Sequence, residues 1–194
     1  MRVVLSASML ATVMLLLACA ATAAPMPIAN VFIENFGAIT MQLRPDHAPA
    51  TVANFISLAE QGFYSAAKGA NTSLYRYYPK FVIQGGNLNS ASNQTVPLEY
   101  SLPNVKYSVG LARSNDPHSG SSEFFVNVAN NTEVLAPHPA QGRLGYAVFA
   151  EVIGGGIDVV DRLEKLPEHA DPAYGGMHMF DHPPRIVAVT IDRQ

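Results

Sequence analysis

The chain has 194 residues, 48% of them hydrophobic and only 14% charged, which is enough apolar mass to bury the full core of one globular domain. Its formal net charge is -3 with no run of like charge, so the basic patch that nucleic-acid recognition needs is missing and that function class is set aside. The single cysteine, Cys19, lies near the N-terminus and leaves the rest of the chain without a disulfide, so stability must come from packing.

Residues 3–18 are almost wholly apolar after Arg2, and small residues follow through Ala24, the build of an export signal. The run is too short for a comfortable membrane span, and Ala21-Thr22-Ala23 offers an Ala-x-Ala cleavage site. A signal over residues 1–23 and a periplasmic or secreted mature protein are expected. Leu16-Leu17-Ala18-Cys19 also resembles a bacterial lipoprotein processing site, and lipidation at Cys19 would tie the protein to a membrane. The plainer reading is a cysteine discarded with the signal.

Two short strands, Ile28 to Phe36 and Ala38 to Leu43, are predicted around an Asn35-Gly37 hairpin turn. Pro49 to Glu60 carries Val52, Phe55, Ile56 and Ala59 at the spacing of an amphipathic helix, with Pro49 in its first turn and Gly62 beyond its end. Ile157, Val160, Leu163 and Leu166 repeat that spacing between Gly154-Gly155-Gly156 and Pro167. Between these helices, strand-like pieces alternate with Gly, Pro, Asn and Ser clusters, which favours an all-β barrel or sandwich. Residues 168–184, rich in Pro, Gly and His, read as a long loop before a last strand from Arg185 to Ile191.

The stretch Tyr75-Arg76-Tyr77-Tyr78-Pro79-Lys80-Phe81-Val82-Ile83-Gln84-Gly85-Gly86 carries the most chemistry. Alternation from Phe81 to Gln84 predicts a strand with one face packed and one lining a groove, and Gly85-Gly86 is expected to end it at a turn. An arginine, an aromatic and an amide at strand spacing read as half of a peptide-binding site. Ser108-Val109-Gly110-Leu111-Ala112-Arg113 and Ser122-Glu123-Phe124-Phe125-Val126-Asn127 supply the second half.

Through Leu74-Tyr75-Arg76, Phe81 to Gly86, Gly110-Leu111-Ala112-Arg113 and Ser122-Glu123-Phe124-Phe125, the chain resembles the cyclophilins, the peptidyl-prolyl cis/trans isomerases, most closely their bacterial branch. Ala48 to Phe55 with Gly62-Phe63-Tyr64, and Gly145 to Val152 with Gly156 to Asp161, extend the resemblance to residues 28–192. It implies one domain over those residues, built as a closed barrel of eight antiparallel strands capped by two helices. It also implies isomerisation of X-Pro bonds without a cofactor.

By the same resemblance Arg76 is the catalytic residue, and Phe81, Val82, Phe125, Leu135 and Tyr146 form the apolar pocket that grips the proline ring. Gln84, Ala112 and Arg113 line the peptide groove. Val134 stands where many relatives carry a bulky aromatic, and Tyr146 where bacterial members often have tyrosine. The implied partners are proline-containing unfolded or flexible polypeptides, bound by a monomer. Cyclosporin-type ligands are a second implied class, left open by Val134.

Two positions depart from the family pattern. Tyr75 replaces the histidine that usually precedes the arginine and is read as a packing change. Glu123 replaces a glutamine whose amide donates to substrate backbone, whereas an ionised carboxylate only accepts. One reading has Glu123 charged and paired with Arg76 or Arg113, competing with substrate. The other has it turned away or fixing the arginine's orientation.

Rotation about a peptide bond faces a barrier of about 18–20 kcal/mol, and lowering it requires no nucleophile, metal or proton relay, only a site that favours the twisted amide. The alternative to the enzyme is a non-catalytic proline-peptide-binding or chaperone-like module on the same fold. A structural envelope lipoprotein is more remote and would need lipidation at Cys19. His178 and His182 would face one way on a helix, but Gly175-Gly176 and Pro183-Pro184 around them predict a loop, so they are read as solvated and no metal site is expected.

Overall fold

The computed structural model describes residues 26–87 and 92–193. The expected export signal over residues 1–23, with Cys19, lies outside the described residues. Strands β1 (Ile28–Ile33) and β2 (Gly37–Leu43) form the predicted hairpin, and its turn holds Asn35 at φ 65° and Gly37 at φ 96°, left-handed conformations that these two residue types tolerate. Ala29, Val31, Ile33, Ile39, Met41 and Leu43 alternate into the core.

Helix α1 (Pro49–Gln61) opens on its proline and closes at Gly62 with φ 78°, burying Val52, Phe55, Leu58 and Ala59 on one face. Ala48 offers no capping side chain. The orphan N–H groups are met instead by Glu99, whose carboxylate accepts from the backbone of Ala50 and Thr51 at 3.0 and 2.8 Å and from the Thr51 hydroxyl at 2.8 Å.

The chain continues through β3 (Ser73–Tyr78), β4 (Val82–Gly86), β5 (Ser108–Leu111), β6 (Phe124–Asn127), the one-turn helix α2 (Thr132–Leu135) and β7 (Val148–Val152). Helix α3 (Gly156–Leu163), β8 (Glu168–Asp171), β9 (Met177–Phe180) and β10 (Ile186–Asp192) follow. Every ladder is antiparallel, in the order β10-β1-β2-β7-β5-β6-β4-β3-β9-β8. Helix α3 adds Val159, Val160 and Leu163 to the core, and the Phe55 ring of α1 meets Tyr64, Phe124 and Phe149 at centroid distances of 5.6, 5.9 and 5.2 Å.

The structure amends three expectations. The hydrogen-bonded sheet holds ten strands among the described residues rather than a continuous closed ladder of eight. Its β3 meets the start of β10 only in the isolated bridge of Ser73 with Arg185, where Leu74 donates to Pro184 O and Ile186 to Thr72 O, both at 2.9 Å. Pro183 and Pro184 have no N–H with which to lengthen that ladder. Three α-helices form among the described residues rather than two, the third being α2.

Residues 168–184 are not a plain loop but contain the β8–β9 hairpin, which side-chain pairs brace: His178 with Glu168 at 2.5 Å and His169 with Asp181 at 2.8 Å. Gly85-Gly86 ends β4 as expected, the two glycines being its last residues. A Cβ at Gly85 would sit 2.6 Å from Leu74 Cδ2, so glycine here also serves close strand packing. Phe55→Ala is expected to cost about 3–5 kcal/mol of stability, read from urea unfolding at constant m-value. A loss below about 1 kcal/mol would show that the three-ring contact is not a centre of the core.

Candidate active site

The register of β3 against β4 slips between Leu74 and Arg76 and leaves Tyr75 unpaired. Such a bulge inverts the alternation of side chains beyond it. Leu74 and Tyr77 both enter the core, while Tyr75 and Arg76 both line a cavity of about 260 Å³ on the outer face of the sheet. Strands β4 and β6 alternate without interruption, sending Ile83, Phe124 and Val126 inward and Val82, Gln84 and Phe125 to the cavity.

Gly110 of β5 lies opposite Phe125, and a Cβ there would fall 2.3 Å from the ring's Cζ. Its bare backbone is what lets the ring lie across the sheet. Phe125 then meets Tyr146 edge to face at 5.6 Å, and Leu135 of α2 packs with them. Asn131 fixes the approach of α2 by donating to Phe81 O and to Asn127 Oδ1, both at 2.8 Å.

A directional chain of hydrogen bonds runs behind the cavity. Arg76 Nη1 donates to Gln84 Oε1 at 3.0 Å, Gln84 Nε2 donates to the Tyr75 hydroxyl at 2.7 Å, and that hydroxyl donates to Glu123 Oε2 at 2.7 Å. Burial, reinforced by the Glu123 charge, pushes the Tyr75 phenol far above its ordinary range, so its proton stays in place as a donor. Burial also pushes the Glu123 carboxyl up, against weaker opposing pulls from Tyr75, the Asn87 backbone and Gln84. Arg76 Nε is buried and has no partner among the described residues.

Arg113 is held separately. Its Nε and Nη2 donate to Gly145 O at 3.0 and 2.7 Å, its Nη1 donates to Ser114 O at 2.8 Å, and the guanidinium lies over the Tyr146 ring at 4.5 Å.

The cavity gathers Arg76, Phe81, Val82, Gln84, Ala112, Arg113, Phe125, Leu135 and Tyr146, all of them singled out in the sequence. Glu123 and Val134 do not line it. Glu123 stands behind Gly86, where a Cβ would come 2.2 Å from its Oε1, and it forms an ion pair with neither Arg76 nor Arg113 among the described residues. Val134 is 58% exposed on an adjoining cavity. Two lining residues were missed: Tyr75, read as packing, and Met177, brought in by β9. Tyr75 could have been found from its joint departure with Glu123, since a phenol and a carboxylate make a natural donor and acceptor.

A family model described as cyclophilin type peptidyl-prolyl cis-trans isomerase/CLD matches residues 29–189. The chain belongs to the cyclophilin family. Peptidyl-prolyl cis-trans isomerase B of Escherichia coli (strain K12) is 34% identical over 140 residues, which are 69% of this chain and 82% of that relative. A peptidyl-prolyl cis-trans isomerase of Acinetobacter baylyi is 34% identical over 176 residues, covering 84% of this chain and 87% of its own. Like them, this cyclophilin is a peptidyl-prolyl cis-trans isomerase. A Cryptosporidium parvum cyclophilin solved in the presence of the dipeptide Ala-Pro shares the fold with a TM-score of 0.68 at 20% identity, over 86% of this chain and 99% of that one.

Because the folded cyclophilin raises the Glu123 carboxyl, it holds that proton to higher pH than the unfolded chain does. The corresponding stability is therefore present below the ordinary carboxylate range and is lost as pH rises through the raised value. Urea unfolding between about pH 4 and 8 is expected to show wild type losing stability relative to Glu123→Gln, whose neutral amide has no such proton to lose. Parallel pH curves for the two proteins would remove this role from Glu123.

Proposed function

We propose that Arg76 drives the isomerisation by donating a hydrogen bond to the prolyl nitrogen as the amide twists. In the planar amide that nitrogen shares its lone pair with the carbonyl, and the sharing is the source of the barrier of about 18–20 kcal/mol. At the twisted state the lone pair returns to nitrogen and can accept a hydrogen bond. A guanidinium already fixed in place stabilises that state without reorganising at the moment of reaction. The observation that carries this reading is the state of Arg76 itself: it lines an apolar cavity with Nη1 tethered to Gln84 and a buried Nε without a partner among the described residues.

Val82, Phe125 and Leu135 form a buried apolar cluster with Phe81 and Tyr146 packed against it, a surface chemically suited to a pyrrolidine ring. Gln84, Ala112 and Arg113 supply the groove for the flanking peptide backbone. The Ala-Pro dipeptide present with the C. parvum relative is consistent with a proline-containing ligand. We read the eight strands from β10 round to β3 as the family barrel, its seam at the Ser73 to Arg185 bridge. The apolar N-terminal segment supports an export role, with X-Pro bonds of unfolded exported proteins as substrates.

Arg76→Ala is expected to lower kcat/KM for a short Ala-Pro peptide by about 10²-fold or more, measured by NMR exchange, while circular dichroism shows a folded protein. A folded variant with the wild-type rate would take the catalytic role away from Arg76.

A further inference from the structure

Beside the proline cavity lies a second one of about 290 Å³, which shares Arg113, Leu135 and Tyr146 with it. Asn115, Val134 and Arg143 are among its remaining walls. Arg143 is steadied at the rim, its Nη1 donating to Val134 O at 3.1 Å and its Nη2 to Gln141 Oε1 at 2.8 Å. Arg113 is likewise held by the carbonyl oxygens of Gly145 and Ser114. Neutral acceptors orient a guanidinium without cancelling its charge.

Two other arginines of this chain are compensated, Arg44 by Asp46 and Glu151 and Arg193 by Glu60, while Arg76, Arg162 and Arg185 have no ion pair among the described residues. Neither Arg113 nor Arg143 has a carboxylate within ion-pair distance among the described residues, and Glu133, the acidic residue next to Val134, does not line the cavity. Two like charges therefore border one concave site of mixed polar and apolar walls, an arrangement that concentrates a positive potential in it. Guanidinium groups fixed in this way match the two oxygens of a carboxylate.

We propose that this second cavity is a specificity subsite for an acidic side chain, Asp or Glu, in the residues flanking the substrate proline, which rests on the isomerase role of the adjoining cavity. A peptide whose proline ring occupies the first cavity passes the shared Arg113 and Tyr146, so the acidic residue lies within the first few positions from proline. The subsite selects among X-Pro bonds and leaves the twisting chemistry to Arg76.

The test uses Ala-Pro peptides that are identical except for Glu, Gln or Lys at one flanking position at a time. At low salt, Glu at one position is expected to raise kcat/KM about five-fold over Gln, with Lys lowest, and high salt should compress the series. Arg143→Gln should bring the Glu-to-Gln ratio close to one, and Arg143→Lys should keep most of it. Equal turnover of Glu and Gln peptides at every position, or a Glu preference that survives in Arg143→Gln, would overturn the subsite. If wild type turns over none of the peptides, the isomerase reading fails separately. Titration of the same peptides then decides the subsite: tighter binding of the Glu peptide upholds it and equal affinities overturn it.

Discussion

The unpaired Tyr75 shifts the side-chain alternation of β3 by one residue, so that Leu74 and Tyr77 fill the core while Tyr75 and Arg76 emerge together on the other face. In an unbroken strand Arg76 would share the face of Leu74, which is fully buried. A guanidinium taken there without a partner would cost several kcal/mol. The extra residue resolves the conflict between a continuous hydrophobic core and a cation at the same strand. It also places the phenol of Tyr75 where Gln84 and Glu123 can both reach it.

The resulting chain from Arg76 to Glu123 has one consistent sense of donation. When ionised, Glu123 only accepts, here from a phenol that keeps its proton, so Tyr75 presents its lone pairs to the Gln84 amide nitrogen. That choice turns the Gln84 carbonyl oxygen toward Arg76. The side-chain amide is thus not free to flip, and Arg76 is oriented through two intermediaries by a carboxyl it does not touch. Arg76 Nε, at the head of this chain, is buried without a partner among the described residues.

Much of this was legible in the sequence because strong local signals agreed with the fold. Pro49 and Gly62 bracketed α1, Asn35 and Gly37 marked the first hairpin, and nine residues of the motif segments came together at the cavity. The failures share a physical cause: the deciding partner lies on another element rather than among the adjoining residues. Gly85-Gly86 reads locally as a strand end, yet glycine there also admits the close approach of Leu74 on β3 and of Glu123 just ahead of β6. Strand β8 (Glu168-His169-Ala170-Asp171) has no alternating apolar face, and polar pairs such as His178 with Glu168 tie it to β9 instead. Tyr75 could not be assigned from β3 alone, since the bulge shows only in register against β4.

Glu99 gives helix α1 an unusual dependence. The acceptor that completes its first turn is 48 residues downstream of Thr51, across β3 and β4. A helix whose cap is local can be finished by its own neighbourhood; this one is finished only when a distant loop arrives. Its N-terminal stability is thereby tied to the assembly of strands it does not adjoin in sequence, so α1 and the loop around Glu99 gain or lose order as one unit.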